Sequence, residues 1–149
     1  MNTDRALVLE FLAGGGTPAA VTSSPLARDL GAELLALDTA AGTALLAFTP
    51  PPACLQGAGV LQGGVVAMLL DFAMAFAAHA ALADRERAFA TACLSVSFLR
   101  PAPPGRYLAR GHVLRAGRTL LFAEAALTAE AAADPVATAS AVMPIADGG

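Results

Sequence analysis

The fold of this protein is decided by residues 61–84, LQGGVVAMLLDFAMAFAAHAALAD. Seventeen of the nineteen residues in Val65–Ala83 are apolar, and the two exceptions are Asp71 and His79. The run is rich in good helix formers and follows two glycines, so it predicts one helix over about Leu61–Leu82. Because a helix that is apolar on all sides must be covered on all sides, this helix should lie at the centre of the fold.

The same run is also long enough to cross a membrane, since a bilayer needs about 20 apolar residues. Asp71 opposes that interpretation, because a carboxylate near the middle of a span costs roughly 2.5–3.5 kcal/mol. The residues downstream read as alternating strands rather than as loops around one anchor. We therefore predict a core helix and no membrane association.

Length and composition favour one domain over residues 1–149. The chain is 56% hydrophobic and 14% charged, which excludes disorder and favours an oligomer that shares apolar surface. A net charge of −3 gives no electrostatic footprint for nucleic acid. Cys54 and Cys93 have no metal or redox spacing, and the N-terminal residues lack the charge order of a signal peptide. We expect a cytoplasmic protein with reduced thiols and no metal.

Strand patterns surround the central run on both sides. A short helix at about residues 4–12 precedes them, and TACLSVSFL at 91–99 alternates as a half-buried strand should. Further strands are predicted at Ala32–Leu37, Thr43–Phe48, Arg106–Leu114, Thr119–Thr128 and Val136–Met143. The order predicts an α+β fold in which a curved antiparallel sheet wraps one long helix, and a second subunit covers the remainder.

Asp71 is the candidate reactive group of the helix. At 100° per residue it lies away from a bulky stripe and is flanked by Ala67, Ala75 and Ala78, which leave space beside the carboxylate. Burying a carboxylate is costly without an arginine or several donors, and Arg85 lies too far along the helix to pair with it. Two interpretations stay open: a general base, or a structural carboxylate satisfied by backbone amides.

Gly63 and Gly64 provide the second candidate group. The first N–H groups of a helix have no internal partner, and the helix dipole favours negative charge there. Glycines at this point let a substrate carbonyl approach, which predicts an oxyanion hole, although a Gly-Gly pair is more often a simple turn. Gly63 and Asp71 are eight residues apart, or about 12 Å along a helix. Two antiparallel copies related by a twofold axis would bring the glycine of one to the aspartate of the other.

Five of the nine arginines fall within residues 100–118, a window without any acid. Guanidinium groups pair well with phosphate, so this window favours a phosphorylated ligand. An ordinary solvated pair of strands is the alternative interpretation.

The order of elements, with QGAGVLQGGVVAMLLDFAMA, SVSFLRPAPPG and AGRTLLFAEA, resembles the hotdog-fold acyl-CoA thioesterases, and within them the phenylacetate-degradation (PaaI-like) branch. The resemblance covers roughly Gly31 to the C-terminus. It implies a hotdog fold, a homodimer or dimer of dimers with shared active sites, and hydrolysis of an aromatic or medium-chain acyl-CoA thioester. It also implies that no metal or bound cofactor takes part beyond the coenzyme A of the substrate.

The same resemblance implies the roles of single residues. Asp71 matches the acid that acts as general base or nucleophile, and Gly63 the residue whose N–H polarises the thioester carbonyl. Gln56 falls near that carbonyl, and Thr91 at a position that places the attacking water. Four further residues match positions that contact the substrate: Gln62, Gly64, Arg100 and Arg118. The two arginines resemble those that lie near the coenzyme A phosphates.

One position departs from the family pattern. Gln62 stands where relatives have a histidine before the glycines. Glutamine can donate and accept hydrogen bonds in a similar way. The departure keeps open a non-catalytic acyl-CoA-binding or scaffold dimer. It weighs against the other alternative, an enoyl- or hydroxyacyl-CoA hydratase on the same fold, which usually needs a catalytic histidine that this helix start lacks.

Overall fold

The structure is a computed structural model that describes residues 2–147. These residues form three α-helices and eight β-strands, with a short 3-10 turn at Pro52–Cys54. The helices are α1 (Thr3–Ala13), α2 (Pro25–Asp29) and α3 (Gly63–Ala81). The strands are β1 (Ala19–Ala20), β2 (Glu33–Asp38), β3 (Thr43–Phe48), β4 (Arg87–Phe89), β5 (Cys93–Phe98), β6 (Tyr107–Ala116), β7 (Leu120–Ala129) and β8 (Ala137–Asp147).

All eight strands belong to one antiparallel arrangement that curves around α3. The order is β1-β2-β3-β6-β7-β8-β4, and β5 pairs with the same edge of β8 that β4 continues. The other edge of β5 pairs with no strand within residues 2–147. The predicted α+β hotdog architecture, one long central helix wrapped by a curved antiparallel sheet, is confirmed.

The central helix begins at Gly63 and ends at Ala81, within two residues of the prediction. Among the helices within residues 2–147, α3 is the one that is long and apolar enough to cross a membrane. Ten of its nineteen residues are buried, as expected of a core helix. The remaining cover was expected from a second subunit, and the single chain leaves part of the helix open. One stripe at helical spacing stays partly or fully exposed: Gly64, Ala67, Met68, Asp71, Phe72 and Ala75.

Strand β5 departs from its prediction in a related way. The alternation is correct, because Cys93, Ser95 and Ser97 lie on the face away from α3. The predicted burial of the helix side is wrong, because only Val96 is partly covered there. Leu94 and Phe98 on the same side are 36% and 57% exposed. The physical reason is that β5 is an edge strand held by β8 alone. Its helix-facing residues are left open within residues 2–147.

The N-terminal helix predicted at residues 4–12 is confirmed as α1, which Asn2 caps by accepting hydrogen bonds from the Asp4 and Arg5 N–H groups. The Arg5 guanidinium donates to the Leu82 and Ala83 carbonyls, both at 3.2 Å. It therefore adds a donor to two carbonyls just after α3, of which that of Leu82 also accepts from the Arg85 N–H at 3.0 Å. The short elements α2 and β4 were absent from the prediction, because five and three residues are too few to show a period.

The helix and the sheet approach each other closely at Gly111 in β6. A Cβ added there would sit 2.1 Å from the Ala73 carbonyl oxygen, a backbone atom that cannot move alone. We expect Gly111→Ala to destabilise the fold by about 3 kcal/mol or more, because overpacking at a rigid contact shifts backbone. Urea unfolding monitored by circular dichroism measures this. Gly57→Ala is the matched control, since a Cβ at Gly57 meets nothing within 4 Å; equal stability of the two variants would contradict the close approach.

His79 makes the stability of the fold depend on pH. The imidazole is buried in α3, with its ring centre 4.6 Å from that of Phe89. Burial lowers the pKa of His79 from 6.5 to about 4, with Asp4 opposing the shift and Arg5 adding to it. The unfolded chain therefore takes up this proton at a higher pH than the folded chain. The free energy of unfolding is therefore highest above pH 6.5, and it falls by up to about 3 kcal/mol as the pH is lowered toward 4.

His79→Leu separates this effect from the titration of carboxylates at the same pH. We expect the variant to lose less stability than wild type between pH 6.5 and 4.5 in urea unfolding. Parallel pH curves for the two proteins would show that His79 protonates equally in the folded and unfolded chains.

Candidate active site

The N-terminus of α3 presents two free amides. Gln62 is the N-cap residue, with extended backbone and no capping bond from its side chain. Its carbonyl accepts from the Val65 and Val66 N–H groups at 2.9 and 3.1 Å. The N–H groups of Gly63 and Gly64 have no acceptor within residues 2–147. These are the donors that a developing oxyanion needs.

Loop contacts hold these amides in place. The Leu61 N–H donates to the Ala102 carbonyl at 2.8 Å, and the Gln62 N–H donates to the Cys54 carbonyl at 2.9 Å. Gly63 lies against Phe98, since a Cβ on Gly63 would be 3.4 Å from the Phe98 ring. The start of α3 is thereby tied to the Cys54 loop, to the proline-rich turn and to the end of β5.

A cavity of about 380 Å³ opens beside Gly63. Its walls are mostly apolar, with Leu61, Val66 and Phe98 among them. Gln56 is at the same cavity, and its side-chain carbonyl accepts from the Ala58 N–H. That bond fixes the amide orientation and leaves the side-chain NH2 of Gln56 available to donate. The family resemblance placed both Gln56 and Gly63 near the thioester carbonyl, and in the structure both residues line this cavity.

Asp71 and Thr91 form the second half of the site. Thr91 lies between β4 and β5, and its hydroxyl donates to the Asp71 carboxylate at 2.8 Å. Asp71 is half-buried in the single chain rather than enclosed among apolar side chains as expected, because it lies on the open stripe of α3. Its polar partner is a hydroxyl, and no described arginine forms an ion pair with it. The carboxylate is positioned and accessible, as a group that acts on water must be.

The two halves do not meet within one chain. Gly63 and Asp71 are separated by two turns of α3, about 12 Å. Strand β5 shows the same separation. Gly63 contacts Phe98 at one end of β5, whereas Thr91, which is hydrogen-bonded to Asp71, lies just before Cys93 at the other end. The predicted reactive groups therefore lie at opposite ends of one exposed edge strand.

The two arginines expected near phosphate groups are also far apart. Arg100 lies at the Gly63 cavity and pairs with Asp134 at 3.4 Å. Arg118 lies in the β6–β7 turn, where its carbonyl accepts from the Arg87 side chain at 2.7 Å. Arg100 is bonded to the start of β8 through Val136, and Arg87 pairs with its end. Measured along β8, the segments that carry Arg100 and Arg118 are therefore about 30 Å apart.

Sequence reasoning missed Phe98 as a site residue. The alternating pattern places it on the helix side of its strand, but its contact with Gly63 joins two segments that only the folded sheet brings together. The signal that was present is its position directly before the LRPAPPG turn.

A hotdog domain with free amides at one end of the central helix and an aspartate two turns along it defines a thioesterase-like protein. The family model described as Thioesterase superfamily matches residues 58–135, more than half of the chain. The chain belongs to the thioesterase superfamily.

Solved structures agree with this assignment. A phenylacetic acid degradation-related protein of Ralstonia eutropha JMP134 is 30% identical, with 92% of this chain and 98% of that chain covered and a TM-score of 0.77. A thioesterase family protein of Silicibacter pomeroyi is 28% identical, with 97% and 99% covered and a TM-score of 0.79. The PaaI protein from the phenylacetic acid degradation operon of E. coli shares the fold at 19% identity, with 99% and 96% covered and a TM-score of 0.77. No curated protein matches the chain.

Proposed function

We propose that this protein is an acyl-CoA thioesterase that works as a homodimer with two shared active sites. The observation that carries the proposal is the position of its two half-sites, free amides beside Gly63 and the Asp71–Thr91 pair, at opposite ends of the unpaired edge strand β5. Each half lacks what the other supplies.

Pairing of β5 with a second copy would complete both sites. In an antiparallel pair the Phe98 end of one strand faces the Cys93 end of the other. Because Gly63 contacts Phe98 and Asp71 is bonded to Thr91, the pairing would bring Gly63 of one copy toward Asp71 of the other. It would also cover the exposed residues on the helix side of β5. A twofold axis makes the two sites equivalent.

In such a site the thioester carbonyl oxygen would accept hydrogen bonds from the Gly63 N–H and the Gln56 side-chain NH2. The Asp71 carboxylate of the facing copy would take a proton from water while the hydroxide attacks the carbonyl carbon, with Thr91 helping to place the water. Collapse of the tetrahedral intermediate breaks the C–S bond, and the thiolate leaves with the proton from Asp71. In the alternative course Asp71 attacks directly, expels the thiolate and forms an anhydride that water then hydrolyses.

The acyl group would occupy the cavity beside Gly63, whose apolar walls suit an aromatic or medium-chain acid. A twofold axis through β5 would also bring the Arg118 end of one copy toward the Arg100 end of the other. Both guanidinium groups would then lie near one coenzyme A, whose phosphates they can bind bidentately. Gln62 and Gly64, both exposed at the helix start, would contact the substrate as it enters.

The mechanism needs no metal and no cofactor other than the coenzyme A of the substrate. We also propose that the protein acts in the cytoplasm, with neither nucleic acid nor membrane as a partner.

Gln62 in place of the family histidine supports a second candidate, a dimer that binds acyl-CoA without turnover. One experiment distinguishes the two: a panel of aromatic and straight-chain acyl-CoA thioesters is incubated with the wild-type protein, and free thiol is measured together with binding. We expect thiol release from at least one thioester. Binding of several thioesters without release from any would reject the enzyme in favour of the binding protein.

A further inference from the structure

The proline-rich turn between β5 and β6 spans residues 99–106, LRPAPPGR. Three of its residues are prolines, which have no backbone N–H, so the turn is held largely by hydrogen bonds that it accepts. Two of these bonds lie on neighbouring carbonyls. The Leu61 N–H donates to the Ala102 carbonyl at 2.8 Å, and the Tyr107 hydroxyl donates to the Pro103 carbonyl. They are the hydrogen bonds that segment 101–105 forms within residues 2–147.

Tyr107 is a rigidly held donor for the proline-rich turn. It is the first residue of β6, it is only 1% exposed, and its backbone pairs with Phe48 in β3 and with Ala129 in β7. A buried hydroxyl needs a partner, and the Pro103 carbonyl provides one. Burial raises the pKa of the Tyr107 phenol above its usual value, so the hydroxyl keeps the proton that it donates.

Leu61 connects the proline-rich turn to the free amides of α3. It lies two residues before Gly63, and its buried side chain lines the cavity beside Gly63. Its N–H is bonded to Ala102 in the turn, whereas the next N–H, that of Gln62, is bonded to the Cys54 carbonyl at 2.9 Å. The start of α3 is therefore held from two sides, and the direction of the Gly63 N–H depends on both bonds.

Loss of the Tyr107 hydroxyl would release the proline-rich turn on one side. Pro103 is exposed, so its carbonyl can turn toward water once no buried donor holds it. The Ala102 carbonyl belongs to the preceding residue and would move with it, which weakens the bond from Leu61. A displacement of about 1 Å at a catalytic group can cost as much as about 10²-fold in rate. A hydroxyl outside the site can therefore control the reaction through the turn.

We propose that Tyr107 is a positioning residue: its hydroxyl holds the proline-rich turn, and the turn holds the Gly63 amide in the direction that an oxyanion requires. The inference rests on the proposed function, because the direction of the amide matters to a reaction only if a thioester carbonyl binds there. Tyr107 is not among the residues that line the cavity beside Gly63, so it acts on the substrate only through the turn.

Tyr107→Phe removes one oxygen and keeps the ring, and steady-state release of free thiol measures its effect. We expect kcat to fall about 10-fold and KM to change less than about twofold, because the oxyanion forms only in the transition state. In the Gly63→Pro background the same change should alter kcat less than about twofold, since the donor is already absent. Ser24→Ala is the matched control. It loses the hydrogen bond that the Ala27 N–H donates at 3.1 Å to the cap of α2, and it should keep wild-type kinetics.

Amide hydrogen exchange measured by NMR tests the same connection without any activity. The Leu61 N–H should exchange about 10-fold faster in Tyr107→Phe than in wild type or Ser24→Ala, because its bond to the turn opens more often. Unchanged exchange at Leu61 would overturn the proposal. An unchanged kcat, or an equal loss of kcat with and without Gly63→Pro, would also overturn it. If wild type hydrolyses no thioester, the proposed function is rejected, and exchange at Leu61 alone decides whether Tyr107 holds the start of α3.

Discussion

Asp71→Asn is expected to lower kcat for acyl-CoA hydrolysis by about 10²- to 10⁴-fold, the usual contribution of a general base. Asparagine keeps the shape of the side chain and can still accept the hydrogen bond that Thr91 donates. It cannot take a proton from water. KM should change little, because the amide occupies the same volume beside the substrate.

The measurement is steady-state release of free thiol from the best thioester of the panel, with Asp84→Asn as the control. Asp84 is an exposed acid just after the end of α3, and it should be dispensable. Hydrolysis at the wild-type rate by Asp71→Asn would remove Asp71 from the mechanism. A single turnover of wild type in labelled water then detects the anhydride course, because label appears in Asp71 only if an anhydride forms and water attacks the aspartyl carbon.

The sequence was sufficient to predict the central helix, because a run of apolar residues this long has few other solutions. Regular alternation likewise predicted β5 through β8 to within a few residues. These are local signals, and each depends on a period that a dozen residues can show.

Two features of the site depend on contacts that no local pattern reports. The bond from Thr91 to Asp71 joins residues 20 positions apart, and the contact of Phe98 with Gly63 depends on how β5 lies along α3. The resemblance to a family, rather than any period, pointed to Thr91. The one signal for Phe98 was its position directly before the LRPAPPG turn.

The expectations that failed have a common physical cause. Asp71 and the helix side of β5 were expected to be buried, but in the single chain Asp71 is only half-buried and Leu94 and Phe98 are exposed. Apolar composition states how much surface must be covered, but not whether the cover comes from the same chain. Asp71 and β5 adjoin one continuous open region, which is where a second copy would lie.

Gly63→Pro is expected to lower kcat/KM by about 10²- to 10³-fold, because proline removes the N–H that would stabilise the oxyanion. The fold should tolerate the change. Gly63 is the first residue of α3, where proline is favoured, and Gln62 already has the extended backbone (φ −60°, ψ 138°) that a residue before proline requires. Gly63→Ala, which keeps the N–H, is the matched control. Both changes place a Cβ 3.4 Å from the Phe98 ring, so any steric effect is shared and only the proline variant should lose the donor.

Mixing the two inactive variants tests whether the half-sites come from different chains. In a dimer of one Asp71→Asn chain and one Gly63→Pro chain, one site combines the intact Gly63 with the intact Asp71, and the other site has neither. Random exchange makes half of the dimers mixed, so refolding the two proteins together in equal amounts should restore about a quarter of wild-type activity. If each site were built from a single chain, every site in the mixture would stay defective. A mixture no more active than its components, with subunit exchange verified by tagged chains, would therefore reject the shared site even if both single variants lose activity as expected.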